Sequence, residues 1–198
     1  IGEKIMSSTA TPMGAEPIGT LSASGSFTGK VRHLSIASNY GTAIFYGDFV
    51  KTVAAGTIEK DTGTTTLTPT GVFMGCSYTD PTTNQPTYSQ HYPASTVASD
   101  IKAYVLDDPN VLMKMQGDAS LAQTAIGNNV AIVQTAGSTS IGRSKNAVDS
   151  STIAATTATL PLRIIDFVDG PDSSVGDSFT DVIVKFNAGH QYDNTTGV

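Results

Sequence analysis

Two side chains in the stretch GVFMGCSYTDPTTNQPTYSQHYPAS, Gly71 to Ser95, have the types that could do chemistry together: Cys76, the only cysteine, and His91, one of three histidines. A thiol beside an imidazole can be a nucleophile with its base, provided the thiol loses its proton easily. That normally takes a helix N-terminus or an adjacent charged histidine, and a backbone that presents the sulfur. This stretch supplies no helix. GVFMGCSY alternates at the two-residue period of a strand, with Val72, Met74 and Cys76 on one face and Phe73, Gly75 and Ser77 on the other. The expectation is a Cys76 that shares a buried face with apolar neighbours and is chemically inert. TDPTTNQP has the residue chemistry of a loop. YSQHYPAS resumes alternation, with Tyr88, Gln90 and Tyr92 opposite Ser89 and His91, so its tyrosines suit an aromatic surface or an interface.

A second constellation is acidic. Asp166, Asp169, Asp172, Asp177 and Asp181 place oxygen ligands of the kind hard cations need within a short span. Their spacing does not match the EF-hand loop, and aspartates also favour turns through local hydrogen bonds, so the span reads as a solvated acidic loop. His33, His91 and His190 are scattered and read as surface or satisfied core positions. The sequence has no glycine-rich phosphate loop, no serine nucleophile elbow and no zinc-ligand spacing. No catalytic, cofactor-binding or metal-binding residue is assigned, and no cofactor is expected.

Composition narrows the classes of partner. The 198 residues carry a formal net charge of -6, and only 14% are charged against the ~25% usual for soluble domains. Phosphate backbones call for clustered Lys and Arg, so nucleic acid is not an expected partner. No run of about 18 apolar residues and no basic-then-apolar N-terminal leader is present, so neither a membrane span nor a signal peptide is expected.

The elements that must position these residues are strands. Residues 1–25 lack apolar periodicity and read as an extended N-terminal arm, mobile in the free protein and ordered only when docked on a partner. Its spaced apolar residues Ile1, Ile5, Met6, Met13, Ile18 and Leu21 would anchor it on a partner, by adding a strand to it, and a chain beginning at Ser26 is expected to keep the folded domain. Residues 26–198 read as one β-rich domain, with a possible division near residues 95–99. KVRHLSIA alternates, NYGTAIFYGDFVKTV divides at Gly47-Asp48, and IKAYVLDD puts Ile101, Ala103 and Val105 on one face. Asp107-Asp108-Pro109-Asn110 then turns the chain into VLMKMQGD, which reads as a hairpin. One short helix is expected near residues 120–126, capped by Ser120 or Asp118 and stopped at Gly127-Asn128. LPLRIIDFV and DVIVKFNAG are expected to pair. The fold class is therefore all-β, as a small barrel or two packed β subdomains.

The succession YGTAIFYGDFVK, GVFMGCSYTD, SQHYPAS, AYVLDDPNVLMKMQ, IGRSKNAVDSS, TLPLRIIDFVDGPD and DVIVKFNAGHQ resembles virion structural proteins of tailed bacteriophages, most of all capsid decoration, or cement, proteins. The resemblance covers about residues 25–191 and includes no active-site motif. It implies a non-enzymatic β-rich protein, made in the bacterial host cytoplasm, that binds the major capsid protein on the outer surface of the virion. It also implies neighbouring copies as a homo-oligomer, trimer before dimer. The alternative is a carbohydrate-binding or tail-associated virion module, for which Tyr88, His91 and Tyr92 would form a stacking platform.

Overall fold

A computed structural model describes residues 9–21, 29–170, 172–193 and 197. The strands are β1 (Glu16–Thr20), β2 (Arg32–Ser35), β3 (Ile44–Phe45), β4 (Phe49–Thr52), β5 (Ile58–Lys60), β6 (Gly71–Thr79), β7 (Pro86–Ser89), β8 (His91–Tyr92), β9 (Lys102–Leu106) and β10 (Val111–Gln116). The two-residue strands β11 (Asn129–Val130), β12 (Ile132–Val133) and β13 (Ala147–Val148) follow, then β14 (Leu162–Phe167) and β15 (Asp181–Phe186). The chain is all-β, and its sheets stay open rather than closing into a barrel.

Two sheets carry the architecture. A central sheet runs β2-β9-β6-β4-β5, with β7 added on β6. An outer sheet runs β1-β10-β15-β14-β11, antiparallel throughout. Successive side chains of the central strands enter two different cores. Phe49, Val72 and Leu106 join the outer sheet's Val111, Met113, Leu162, Ile164, Val182 and Val184 in the larger core. Their chain neighbours Val50, Phe73 and Val105 join Ile36, Ile44, Ile58, Tyr92 and Ile101 in the smaller one. A sheet covered on both faces needs apolar residues at consecutive positions, which explains the pairs Phe49-Val50, Val72-Phe73 and Val105-Leu106. Each such side chain contributes about 1.5–3 kcal/mol by leaving water.

Two expectations change, the hairpin at Asp107–Asn110 and the short helix. The turn Asp107–Asn110 forms, but it does not close a hairpin. β9 pairs with β2 and β6, while β10 pairs with β1 and β15, so this turn carries the chain from the central sheet to the outer one. Residues 95–99 lie in the loop between β8 and β9, before the last strand of the central sheet. The short helix is a single 3-10 turn, Gln123–Ala125, with Ala122 at its N-cap position and no side-chain cap. It buries Ala125, Leu121 is buried just before it, and Gly127, at φ 83°, follows its end.

The N-terminal segment also differs from a free arm over its described part. Glu16–Thr20 is the edge strand of the outer sheet, paired with β10. The Ala15 N–H donates to the Gly47 carbonyl at 2.9 Å, Thr11 N–H to Gln116 Oε1 at 2.7 Å, and Leu21 N–H to the Asn110 carbonyl at 3.0 Å. Ala15 is fully buried. Gly14, at φ 73°, is required there, because a Cβ would lie 2.6 Å from both the Gly47 carbonyl oxygen and Ser144 Cβ. Segment 9–21 is thus docked on its own chain. Ile1, Ile5, Met6 and residues 22–25 of the expected arm lie outside the described residues.

Candidate interaction surface

Cys76 and His91 do meet, but not as an ion pair. The Cys76 thiol points to the His91 main-chain carbonyl, Sγ to O 3.5 Å, while the His91 ring stacks on Phe45 with centroids 5.5 Å apart. Cys76 is fully buried, and burial pushes its thiol pKa up to about 12. A thiol in that state supplies almost no thiolate at neutral pH.

Its face is the opposite of the one strict alternation assigns. The β6–β9 register shifts between Phe73 and Cys76, with Gly75 at φ 130°. This bulge moves Cys76 from the Val72 and Met74 side to the Phe73 side, so it packs in the smaller core with Ala103 and Val105. Ser77 pairs with Tyr88 and Cys76 with Ser89, so the β6–β7 hairpin expected from the sequence is present.

The aromatic platform does not assemble. Tyr88 is 77% exposed, but a bend at Gln90 interrupts the alternation and sends Tyr92 into the smaller core, where its hydroxyl donates to the Tyr40 carbonyl at 3.1 Å. Three of the five aspartates from Asp166 to Asp181 have partners within the fold. Asp177 Oδ2 accepts the Ser174 N–H at 2.8 Å, Asp166 Oδ1 accepts the Phe167 N–H, and Asp181 pairs with Lys114 at 2.9 Å. Among the described residues no group of three or more His, Cys, Asp or Glu side chains is placed to hold a metal ion.

The densest polar centre went unread in the sequence, where Gly47-Asp48 looks like a turn. Asp48 is fully buried, and its Oδ2 accepts from the Phe45 N–H at 2.9 Å and from Lys60 Nζ at 2.9 Å. Its Oδ1 accepts from Ser144 Oγ at 2.6 Å and Asn146 Nδ2 at 3.2 Å. The same Ser144 abuts Gly14, so this carboxylate knits the N-terminal segment, β5 and the loop before β13 together. Four donors on one carboxylate make a structural hub with no acceptor position left for a substrate.

Exposure of a different kind runs along the N-terminal segment. Met13, Ile18 and Leu21 are 46%, 45% and 48% exposed, although the backbone between them is docked. Ile18 is the extra residue of a bulge between Pro17 and Gly19. Arg143 steadies the segment from beneath, with Nη1 3.8 Å from Met13 Sδ and 3.6 Å from Glu16 Oε1, and its guanidinium lies over the Tyr46 ring at 4.9 Å. A cleft of about 160 Å³ between this segment and β10 is lined by Thr11, Glu16, Lys114 and Asp181, and the Lys114–Asp181 ion pair occupies its wall. The segment is therefore a fixed edge bearing three water-exposed apolar side chains.

No protein-family model, curated protein or solved structure matches this chain. Among the described residues no helix is long and apolar enough to cross a membrane.

Proposed function

We propose that this chain is a non-enzymatic virion structural protein that binds the outside of a tailed-phage major capsid shell and stabilises it, acting as a homo-oligomer, trimer before dimer. The observation that carries the reading is the exposure of Met13, Ile18 and Leu21, three large apolar side chains near half exposed on a backbone already hydrogen-bonded in place. Spending no ordering entropy at the moment of binding, such an edge suits attachment without chemistry. Pro17 and the bulge at Ile18 make β1 a poor template for another strand, which favours side-chain contact over strand addition to a neighbour. The resemblance across residues 25–191 supplies the identity of the partner; the buried Cys76 and saturated Asp48 are in keeping with a scaffold. The carbohydrate-binding alternative loses its platform with the burial of Tyr92.

The test is co-sedimentation of purified protein with undecorated capsids of the same phage, comparing the natural chain with a Met13→Ser, Ile18→Ser, Leu21→Ser variant. The variant should fold normally and bind at least about tenfold more weakly, because burying one such side chain is worth about 1.5–3 kcal/mol and 1.4 kcal/mol is a factor of ten. Failure of the natural chain to bind capsids overturns the function, and equal binding by both overturns the surface.

A further inference from the structure

Beyond β15 the chain leaves the outer sheet and crosses to the central one. Asn187 anchors the crossing, donating its N–H to the Pro161 carbonyl at 2.8 Å and its side-chain amide to the Leu160 carbonyl at 2.9 Å. Gln191 is the far attachment. Its N–H donates to the Pro69 carbonyl at 2.9 Å, its Oε1 accepts from Thr52 N–H at 2.8 Å and from the Thr70 hydroxyl, and its Nε2 donates to the Thr52 carbonyl at 2.9 Å. Tyr192 finishes it, with its hydroxyl 3.0 Å from Asp107 Oδ2 and its ring under the Arg32 guanidinium at 5.1 Å. Between the two attachments His190 is inserted into the protein at 1% exposure, its ring 4.8 Å from Phe186 and 5.4 Å from Tyr192.

The ring's hydrogen bonding fits the neutral form alone. Nδ1 accepts the Tyr192 N–H at 3.3 Å, so it holds no proton, and the single proton of a neutral ring sits on Nε2. Nε2 is buried and closes no hydrogen bond with the described residues. Protonating Nδ1 would place a second donor against the Tyr192 N–H.

We propose that residues 188–193 form a proton-operated strap: protonation of the buried His190 ring releases the segment from the central sheet and loosens that sheet against the outer one. The groups that face the ring act in both directions. Burial is the largest influence and disfavours the charged ring, lowering its pKa below the ordinary 6.5. Asp193, the Thr70 backbone, Asp107 and Asp108 oppose it, the Thr70 backbone lying near without closing a bond. Asp107 is already engaged by Arg32 and Tyr192, and the Arg32 cation stands on the same side. A histidine that binds its proton less tightly when the strap is closed makes closure fully favourable above the released value near 6.5. That contribution is lost as pH falls below it.

The experiment is hydrogen exchange of the whole protein, resolved to single amides and corrected for the chemical exchange rate, between about pH 7.5 and pH 5. The Gln191 amide should lose protection progressively as pH falls across that range, with Asn187 unchanged. His190→Phe keeps an aromatic ring and cannot titrate, so its Gln191 protection should not depend on pH. Equal acid dependence in His190→Phe, or a Gln191 amide in the natural protein that stays protected to pH 5, overturns the strap. If His190→Phe does not fold, the NMR titration of the His190 ring in the natural protein decides. A midpoint shared with the Gln191 and Tyr192 signals supports the strap, and separate midpoints overturn it.

Discussion

The central and outer sheets solve burial in different ways. In the outer sheet β15 reads Asp181, Val182, Ile183, Val184, Lys185, Phe186, and only the even-numbered side chains are buried. One face meets the core and the other meets water, at the two-residue period that any strand offers. In the central sheet both faces are covered, so Phe49-Val50, Val72-Phe73 and Val105-Leu106 are buried at adjacent positions. The lesson is that polarity pattern reports the number of covered faces, while bulges decide which residue enters which core. Gly75 turns Cys76 over in one sheet, and the irregularity between Ile164 and Asp166 does the same for Phe167 in the other.

The contrast can be broken most directly at Phe73, which fills the smaller core. Phe73→Ala should cost about 3–5 kcal/mol in urea unfolding, whereas Lys185→Ala on the water-facing side of β15 should stay within about 0.5 kcal/mol. Similar costs for the two would show that the central sheet is not buried on both faces. Asp48→Ala should be of comparable size, about 3–5 kcal/mol, since it strands the Lys60 ammonium at 10% exposure without its partner. Lys60→Met combined with Asp48→Ala should recover part of that loss in a double-mutant cycle.

Next in size is the N-terminal edge. A chain beginning at Leu21 should lose about 2–3 kcal/mol, from several net hydrogen bonds to β10 and the burial of Ala15. Thermal melting that matches the full chain, as a freely hanging arm requires, would remove β1 from the stable fold. For Cys76 the native thiol should stay unreactive to a disulfide reagent from about pH 7 to pH 9 and react fully in denaturant, as follows from a pKa near 12. The smallest effect is Arg143→Ala, about 0.5–1 kcal/mol. It removes a stacked cation and a long, partly exposed ion pair.

Much of the strand content was legible because it depends on local pattern. The β6–β7 and β14–β15 pairings follow from two alternating runs joined by polar turns, and Ile101, Ala103 and Val105 share the buried face their spacing dictates. What escaped depends on partners distant in the chain. The turn at Asp107–Asn110 has the composition of a hairpin whether its strands pair with each other or part company. Nothing local distinguishes Tyr92 from Tyr88 until the bend at Gln90 is known. Asp48 has the look of a turn residue, and the donors that make it a hub come from Lys60, Ser144 and Asn146. His190 gave no signal, because Phe186 and Tyr192 enclose its ring only once the segment has docked on the distant stretch before β6.

The order of strands along the chain carries a temporal consequence. The central sheet is drawn entirely from β2 to β9, so every partner it needs has been synthesised by Leu106. The outer sheet joins β1, β10, β11, β14 and β15, and its β10 pairs at once with the first and the last strand among the described residues. During synthesis, or in refolding, the larger core has one wall long before it has the other. Closing it means pairing β10 with strands far away in the chain on both sides, the slow kind of step in β proteins. Until β15 arrives, Phe49, Val72 and Leu106 face water on a half-built protein. The interval between Leu106 and Phe186 is therefore when this chain is most exposed to aggregation, and the C-terminal strands act as the closing step of assembly.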